Sequence, residues 1–144
     1  MSHPTPQPVQ PGVHTHTGSC ACGAVRYEVD LDLSAGTYRC NCTRCTKSGW
    51  WGVIVRPSAF RLLQGADVLA PLNEGSPVPR RRCGRCGLES FAQGELDALG
   101  GPFVSINIRC LDDVDWTGVP VRHLDGKNNT WAELGVVPWR HPLP

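Results

Sequence analysis

Seven of the chain's eight cysteines fall into three tight clusters: Cys20 and Cys22 in "CAC", Cys40, Cys42 and Cys45 in "CNCTRC", and Cys83 and Cys86 in "CGRC". Only Cys110 stands alone. Thiols two or three residues apart make a strained or redox-active internal disulfide, whereas this spacing is common at metal sites. A disulfide framework also calls for secretion. The opening stretch "MSHPTPQPVQPGVHTHT" carries Pro4, Pro6, Pro8 and Pro11 and lacks the apolar core of a signal peptide or anchor. The clusters therefore point to a small fold tied together through metal, expected to be soluble and cytoplasmic.

At 144 residues the chain suits one domain. Fourteen Lys and Arg against thirteen Asp and Glu leave a formal charge of +1. That balance is not the strongly basic footprint of a nucleic-acid binder. The apolar stretches are too short to cross a bilayer, so neither nucleic acid nor membrane is an expected partner. Residues 1–17 are expected to form a disordered, proline-rich arm, 18–134 a zinc-binding domain and 135–144 a C-terminal tail packed along the surface.

Sixteen glycines and thirteen prolines punctuate short segments, which predicts a mainly β domain of short antiparallel strands with little helix. "AVRYEV" alternates, with Val25, Tyr27 and Val29 on one face. "FVSINIRC" repeats the pattern through Val104, Ile106, Ile108 and Cys110. "WWGVIV" and "FRLL", separated by "RPSA", predict a hairpin. "TRCTKS" and "GELDAL" have room for a helical turn or two.

Cys20, Cys22, Cys83 and Cys86 make two close pairs from distant parts of the chain, the supply a tetrahedral structural zinc needs. In an extended segment residues i and i+2 point to one side, so "CAC" converges if it is a strand. Gly84 and Gly87 let the backbone turn around "CGRC". Such a site contributes folding energy rather than chemistry.

"CNCTRC" differs, because Cys40, Cys42 and Cys45 have no obvious fourth ligand nearby. Three protein ligands and one open position are the pattern of a catalytic zinc. The competing reading closes this second site with Cys110, although a thiol on the apolar face of a strand is also ordinary packing. Trp50 and Trp51 offer an aromatic wall, of which alternation allows one to face the metal. Arg44 and Lys47 are candidates to pair with substrate carboxylates, and Asn41 to donate a hydrogen bond to substrate.

The order C-x-C, C-x-C-x-x-C, C-x-x-C, with "GSCACGAVRYEV" opening the domain and "VSINIRCLDDVD" and "HLDGKNNTW" later, resembles the glutathione-dependent formaldehyde-activating enzyme family, which includes centromere protein V. The resemblance runs from about Gly18 to Trp131. It implies a zinc-tied β-tent. It also implies two zinc ions, one structural on Cys20, Cys22, Cys83 and Cys86, one catalytic on Cys40, Cys42 and Cys45. The activity it implies is a carbon-sulfur lyase chemistry on a glutathione or other thiol aldehyde adduct, like S-(hydroxymethyl)glutathione synthase. Asn41 stands where family members often carry histidine. The alternative from the same resemblance is a non-catalytic, zinc-stabilised protein-binding module.

Overall fold

A computed structural model of the chain describes residues 5–71 and 80–140. It is mainly β, as the punctuated sequence predicts. The strands are β1 (Gln7–Pro8), β2 (His14–Ser19), β3 (Arg26–Leu31), β4 (Thr37–Cys40), β5 (Gly52–Val55), β6 (Phe60–Gln64) and β7 (Leu69–Pro71). They continue as β8 (Arg80–Cys83), β9 (Glu89–Leu96), β10 (Gly101–Asn107), β11 (Val114–Asp115), β12 (Pro120–Leu124) and β13 (Glu133–Pro138). Among the described residues one short α-helix, α1 (Thr43–Ser48), lies where "TRCTKS" predicts a turn. No helix among the described residues is long and apolar enough to cross a membrane.

The chain divides into two compact units. The first gathers Asp32–Val53 with the chain's two ends, up to Val13 and from Asp113. Its strands follow the order β13-β12-β4-β5. Here β12 runs parallel to β4 while β13 is antiparallel to β12, and the short β1 runs parallel to β11, so two pairings depart from the antiparallel expectation. One face of this layer is packed by tryptophans. Trp51 stacks on Trp139 at 5.7 Å and lies 6.3 Å from Trp116. Its indole N–H donates to Thr37 Oγ1, and that hydroxyl donates to the Pro120 carbonyl. A buried indole and a buried hydroxyl thereby satisfy each other.

The second unit holds His14–Leu31 and Ile54–Asp112. Its strands form the orders β2-β3-β6 and β10-β9-β8-β7. Tyr27, on the apolar face of β3, meets Phe60 and Phe91 with ring centroids 5.3 and 6.0 Å away, and those two phenylalanines lie 4.7 Å apart. Burial of three such rings against alternating β-branched residues contributes to the cohesion of this unit.

Several expectations need correction. The expected arm stops short, because His14 to Ser19 pair with β3 as a strand, and Glu133 to Pro138 make β13 where a tail was expected to begin. Residues 1–4 and 141–144 of those segments lie outside the described residues. The predicted hairpin does not form. A 3-10 turn at Pro57–Ala59 sends β6 to pair with β3, while Gly52 of β5 pairs with Tyr38 of β4. "FVSINIRC" ends as a strand at Asn107, whose side chain accepts from the Arg109 N–H and caps a 3-10 turn over Ile108–Cys110. "GELDAL" is strand through Leu96 and helical only over Asp97–Leu99.

Candidate metal centres

Cys40 ends β4, and Cys42 sits at the N-cap of α1. The Cys42 sulfur accepts the Cys45 N–H at 3.3 Å, as the side chain of a capping serine or aspartate does. The Cys40 sulfur accepts the Cys42 N–H at 3.4 Å. Gly49 then ends the helix in the left-handed conformation, φ 73°, with its N–H on the Cys45 carbonyl. One tight turn thus brings three sulfurs within 4.8 Å of one another. Burial works against the Cys42 thiolate, but the Cys45 N–H and the neighbouring thiols hold its pKa below the ordinary cysteine value. This donor set favours a thiolate cluster that could hold a metal ion.

Cys40 and Cys45 are buried together with Trp50, and Tyr38 and Cys42 pack against them. The Trp50 indole N–H donates to the Tyr38 hydroxyl at 3.0 Å. Trp51 belongs to the tryptophan cluster on the other face. Alternation therefore gives the trio one of the two tryptophans, Trp50. Arg44 and Lys47 are exposed and three residues apart on α1, so they share a side of the helix while Cys45 is turned inward.

Asn41 has a structural task. Its amide N–H donates to Asp125 Oδ1 at 3.0 Å and its oxygen accepts the Lys127 N–H at 2.8 Å. Both ends of the side chain are engaged with the loop, with one of its two amide N–H donors committed to Asp125. The partner loop, residues 125–131, is organised by the Asp125 carboxylate. That group also accepts from the Asn128 amide at 2.9 Å and from the Thr130 hydroxyl at 3.4 Å. The Asn128 and Asn41 donors hold the Asp125 pKa below the usual carboxylate value. In this loop Asn129 and Trp131 have φ of 57° and 56°, a sparsely populated region, and a strained one for a bulky side chain. A Cβ added at Gly126 would collide with Cys40 Sγ and come 2.9 Å from Trp131 Cζ3. The loop backbone and the rim of the Trp131 indole thus lie against the trio, and Trp131 is 57% exposed. Asp125, Gly126 and Trp131 were not singled out from the sequence as site residues.

The second centre joins Cys20 and Cys22 to Cys83 and Cys86, with all four sulfurs within 4.8 Å. The Cys20–Cys22 and Cys22–Cys83 sulfurs are 3.6 and 3.7 Å apart. A tetrahedron with metal–sulfur bonds of about 2.3 Å has edges of about 3.8 Å, so the cage has the size zinc requires. "CAC" reaches this geometry through a turn rather than an extended strand, with the Gly23 N–H on the Cys20 carbonyl. The two glycines of "CGRCG" serve differently. Gly87 takes φ 81°, whereas Gly84 lets the backbone pass where a Cβ would lie 2.7 Å from the Val68 carbonyl. The Leu88 N–H, helped by neighbouring thiols, pulls the Cys86 pKa down to about 6.

Cys110 joins neither group. It is buried with its sulfur 3.8 Å from the Glu89 carbonyl, and burial pushes its pKa up to about 11. Among the described residues, no fourth His, Cys, Asp or Glu completes the Cys40–Cys42–Cys45 trio. Cys110→Ala is expected to retain the full metal content of the wild-type chain, measured on the purified protein. Loss of one metal ion per chain in that variant would show that Cys110 closes the second site.

The model of the glutathione-dependent formaldehyde-activating enzyme family matches residues 15–128. The chain belongs to that family. Both cysteine centres lie within the matched span. A crystal structure of a Rhodobacter sphaeroides protein is also similar, at 28% identity and a TM-score of 0.59, covering 69% of this chain and 90% of that one.

Proposed function

We propose that this family member is a zinc-dependent carbon-sulfur lyase acting in the cytoplasm on an adduct of glutathione, or another small thiol, with formaldehyde or a related aldehyde. Three converging thiols with no fourth ligand among the described residues support this reading. Cys40, Cys42 and Cys45 would hold a zinc ion, which would supply a Lewis acid open to an exogenous group. Cys20, Cys22, Cys83 and Cys86 would hold a second zinc with a full set of four protein ligands, which would serve the fold.

The reaction is redox-neutral. In the condensing direction the thiol sulfur bonds to the aldehyde carbon, the carbonyl π bond breaks, and the thiol proton ends on the former carbonyl oxygen. Cys40, Cys42 and Cys45 hold the reacting centre at the rim of α1. Trp50 packs against the two buried sulfurs, and the exposed Trp131 indole borders Gly126, whose backbone lies on Cys40. Arg44 and Lys47, exposed on one side of α1, would pair with substrate carboxylates. Asn41 acts through the 125–131 loop as a positioning residue.

Cobalt-substituted protein titrated with glutathione tests this. A glutathione-dependent change in the cobalt absorption bands is expected, and it is expected to vanish in Cys42→Ser. A fully loaded cobalt protein whose spectrum ignores glutathione and other small thiols would instead support the non-catalytic binding module.

A further inference from the structure

The face of the β4–β12–β13 layer that turns away from the trio carries a second feature. Tyr38 and Cys40 point to the trio's side of β4, so Arg39 points to the other. Arg39 is paired directly with His123 on the neighbouring parallel strand. Val121, two residues earlier on β12, shares that face and is paired with Val137 of β13. Arg39, His123 and Arg140 line a hollow of about 180 Å³. Its apolar part is supplied by Val121, Val137, Pro138 and Trp139.

Two guanidinium groups and an imidazole line this hollow, and no carboxylate does. Among the described residues none of the three is engaged in an ion pair, whereas Arg61 is paired with both Glu28 and Asp30. Cations gathered on facing strands cost stability unless something offsets them. Guanidinium forks match carboxylate and phosphate oxygens two at a time, and the imidazole adds a further N–H donor. The volume is below the range of about 300–1,000 Å³ usual for drug-sized ligands, which restricts the occupant to a headgroup and a short body.

We propose that this cleft binds the oxyanion headgroup, carboxylate or phosphate, of a small organic anion whose apolar part rests on Val121, Val137 and Trp139. The site is separate from the thiol trio, because the two open on opposite faces of β4.

Calorimetric titration of the protein as purified, at ionic strength held constant with sodium chloride, tests the proposal with benzoate, phenyl phosphate, inorganic phosphate and benzyl alcohol as probes. Benzoate, phenyl phosphate or both are expected to bind saturably at one site per chain, and benzyl alcohol is not. Binding by only one of the two acids assigns the headgroup. Arg39→Gln is expected to weaken that binding at least tenfold and Arg140→Gln at least threefold, with metal content unchanged. The proposal fails if neither organic anion binds, if only inorganic phosphate does, or if affinity is unaltered in both arginine variants. The last outcome would place the ligand at the metal centre.

Discussion

Cys83→Ser is expected to yield little folded protein, and chelation strong enough to strip all metal from the wild-type chain is expected to abolish its cooperative thermal transition. Cys83 is 1% exposed, and its sulfur accepts the N–H groups of Arg85 and Cys86. With its partners it ties the turn before β3 to the turn after β8, segments sixty-one residues apart in the chain. Structural zinc in small domains contributes about 10–16 kcal/mol of apparent binding free energy at neutral pH, comparable to the roughly 5–15 kcal/mol that stabilises an entire domain. Removing one thiolate leaves the other three crowded without a compensating cation. Cys86→Ser, at an exposed corner of the cage, provides the variant more tolerant of folding. Its melting temperature, followed by circular dichroism, is expected to fall by at least 10 °C, which corresponds to a loss of about 2–4 kcal/mol for a domain of this size. A melting curve unmoved by either substitution, or by complete chelation, would remove this centre from the list of what holds the fold together.

The two centres also differ in how their metals should leave. An ion held by four protein sulfurs is released only when the fold opens, whereas one with an accessible corner is open to attack by a chelator in the folded state. Spacing within six residues located the trio and even its helical turn, because ligand convergence there is decided by one turn of backbone. Periodicity likewise marked β3, whose buried Tyr27 and Val29 alternate with Arg26 and Glu28. It failed for "CAC", where two ligands at i and i+2 look alike in a strand and in a turn until the hydrogen bond to the Cys20 carbonyl is seen. It failed again for β6, since "RPSA" signals a change of direction but not the strand that is joined next. The loop at 125–131 was the least readable. Asn41 and Asp125 are eighty-four residues apart, and the parallel pairing of β4 with β12 that unites them leaves no local turn signature. A glycine there reads as an ordinary turn residue. Its importance comes from a sulfur that reaches it through tertiary structure alone.

Gly126→Ala is expected to empty the trio while sparing the rest of the molecule. The added methyl would occupy the space of Cys40 Sγ and lie 2.9 and 3.0 Å from the Trp131 ring carbons. Neither neighbour yields easily. Cys40 is confined by its place at the end of β4, and Trp131 is held by its N–H on the Asp125 carbonyl in a backbone conformation already under strain. Relief therefore comes by pushing the loop outward, which breaks the Asn41 contacts, or by turning the Cys40 sulfur away from Cys42 and Cys45. Either movement spoils a three-ligand site, which has no spare donor. Affinity for the trio's metal is expected to drop at least a hundredfold, about 2.7 kcal/mol, and thiol–aldehyde turnover by a similar factor. Overpacking of this kind costs about 1–3 kcal/mol of stability, so the variant should remain folded and keep the ion on Cys20, Cys22, Cys83 and Cys86. Metal analysis should then read half the wild-type content. Gly135→Ala is the matched control, because a Cβ at Gly135 meets nothing within 4 Å, and it should behave as wild type. Full metal content with undiminished turnover in Gly126→Ala would show that the 125–131 loop gives way freely and does not shape the reacting centre.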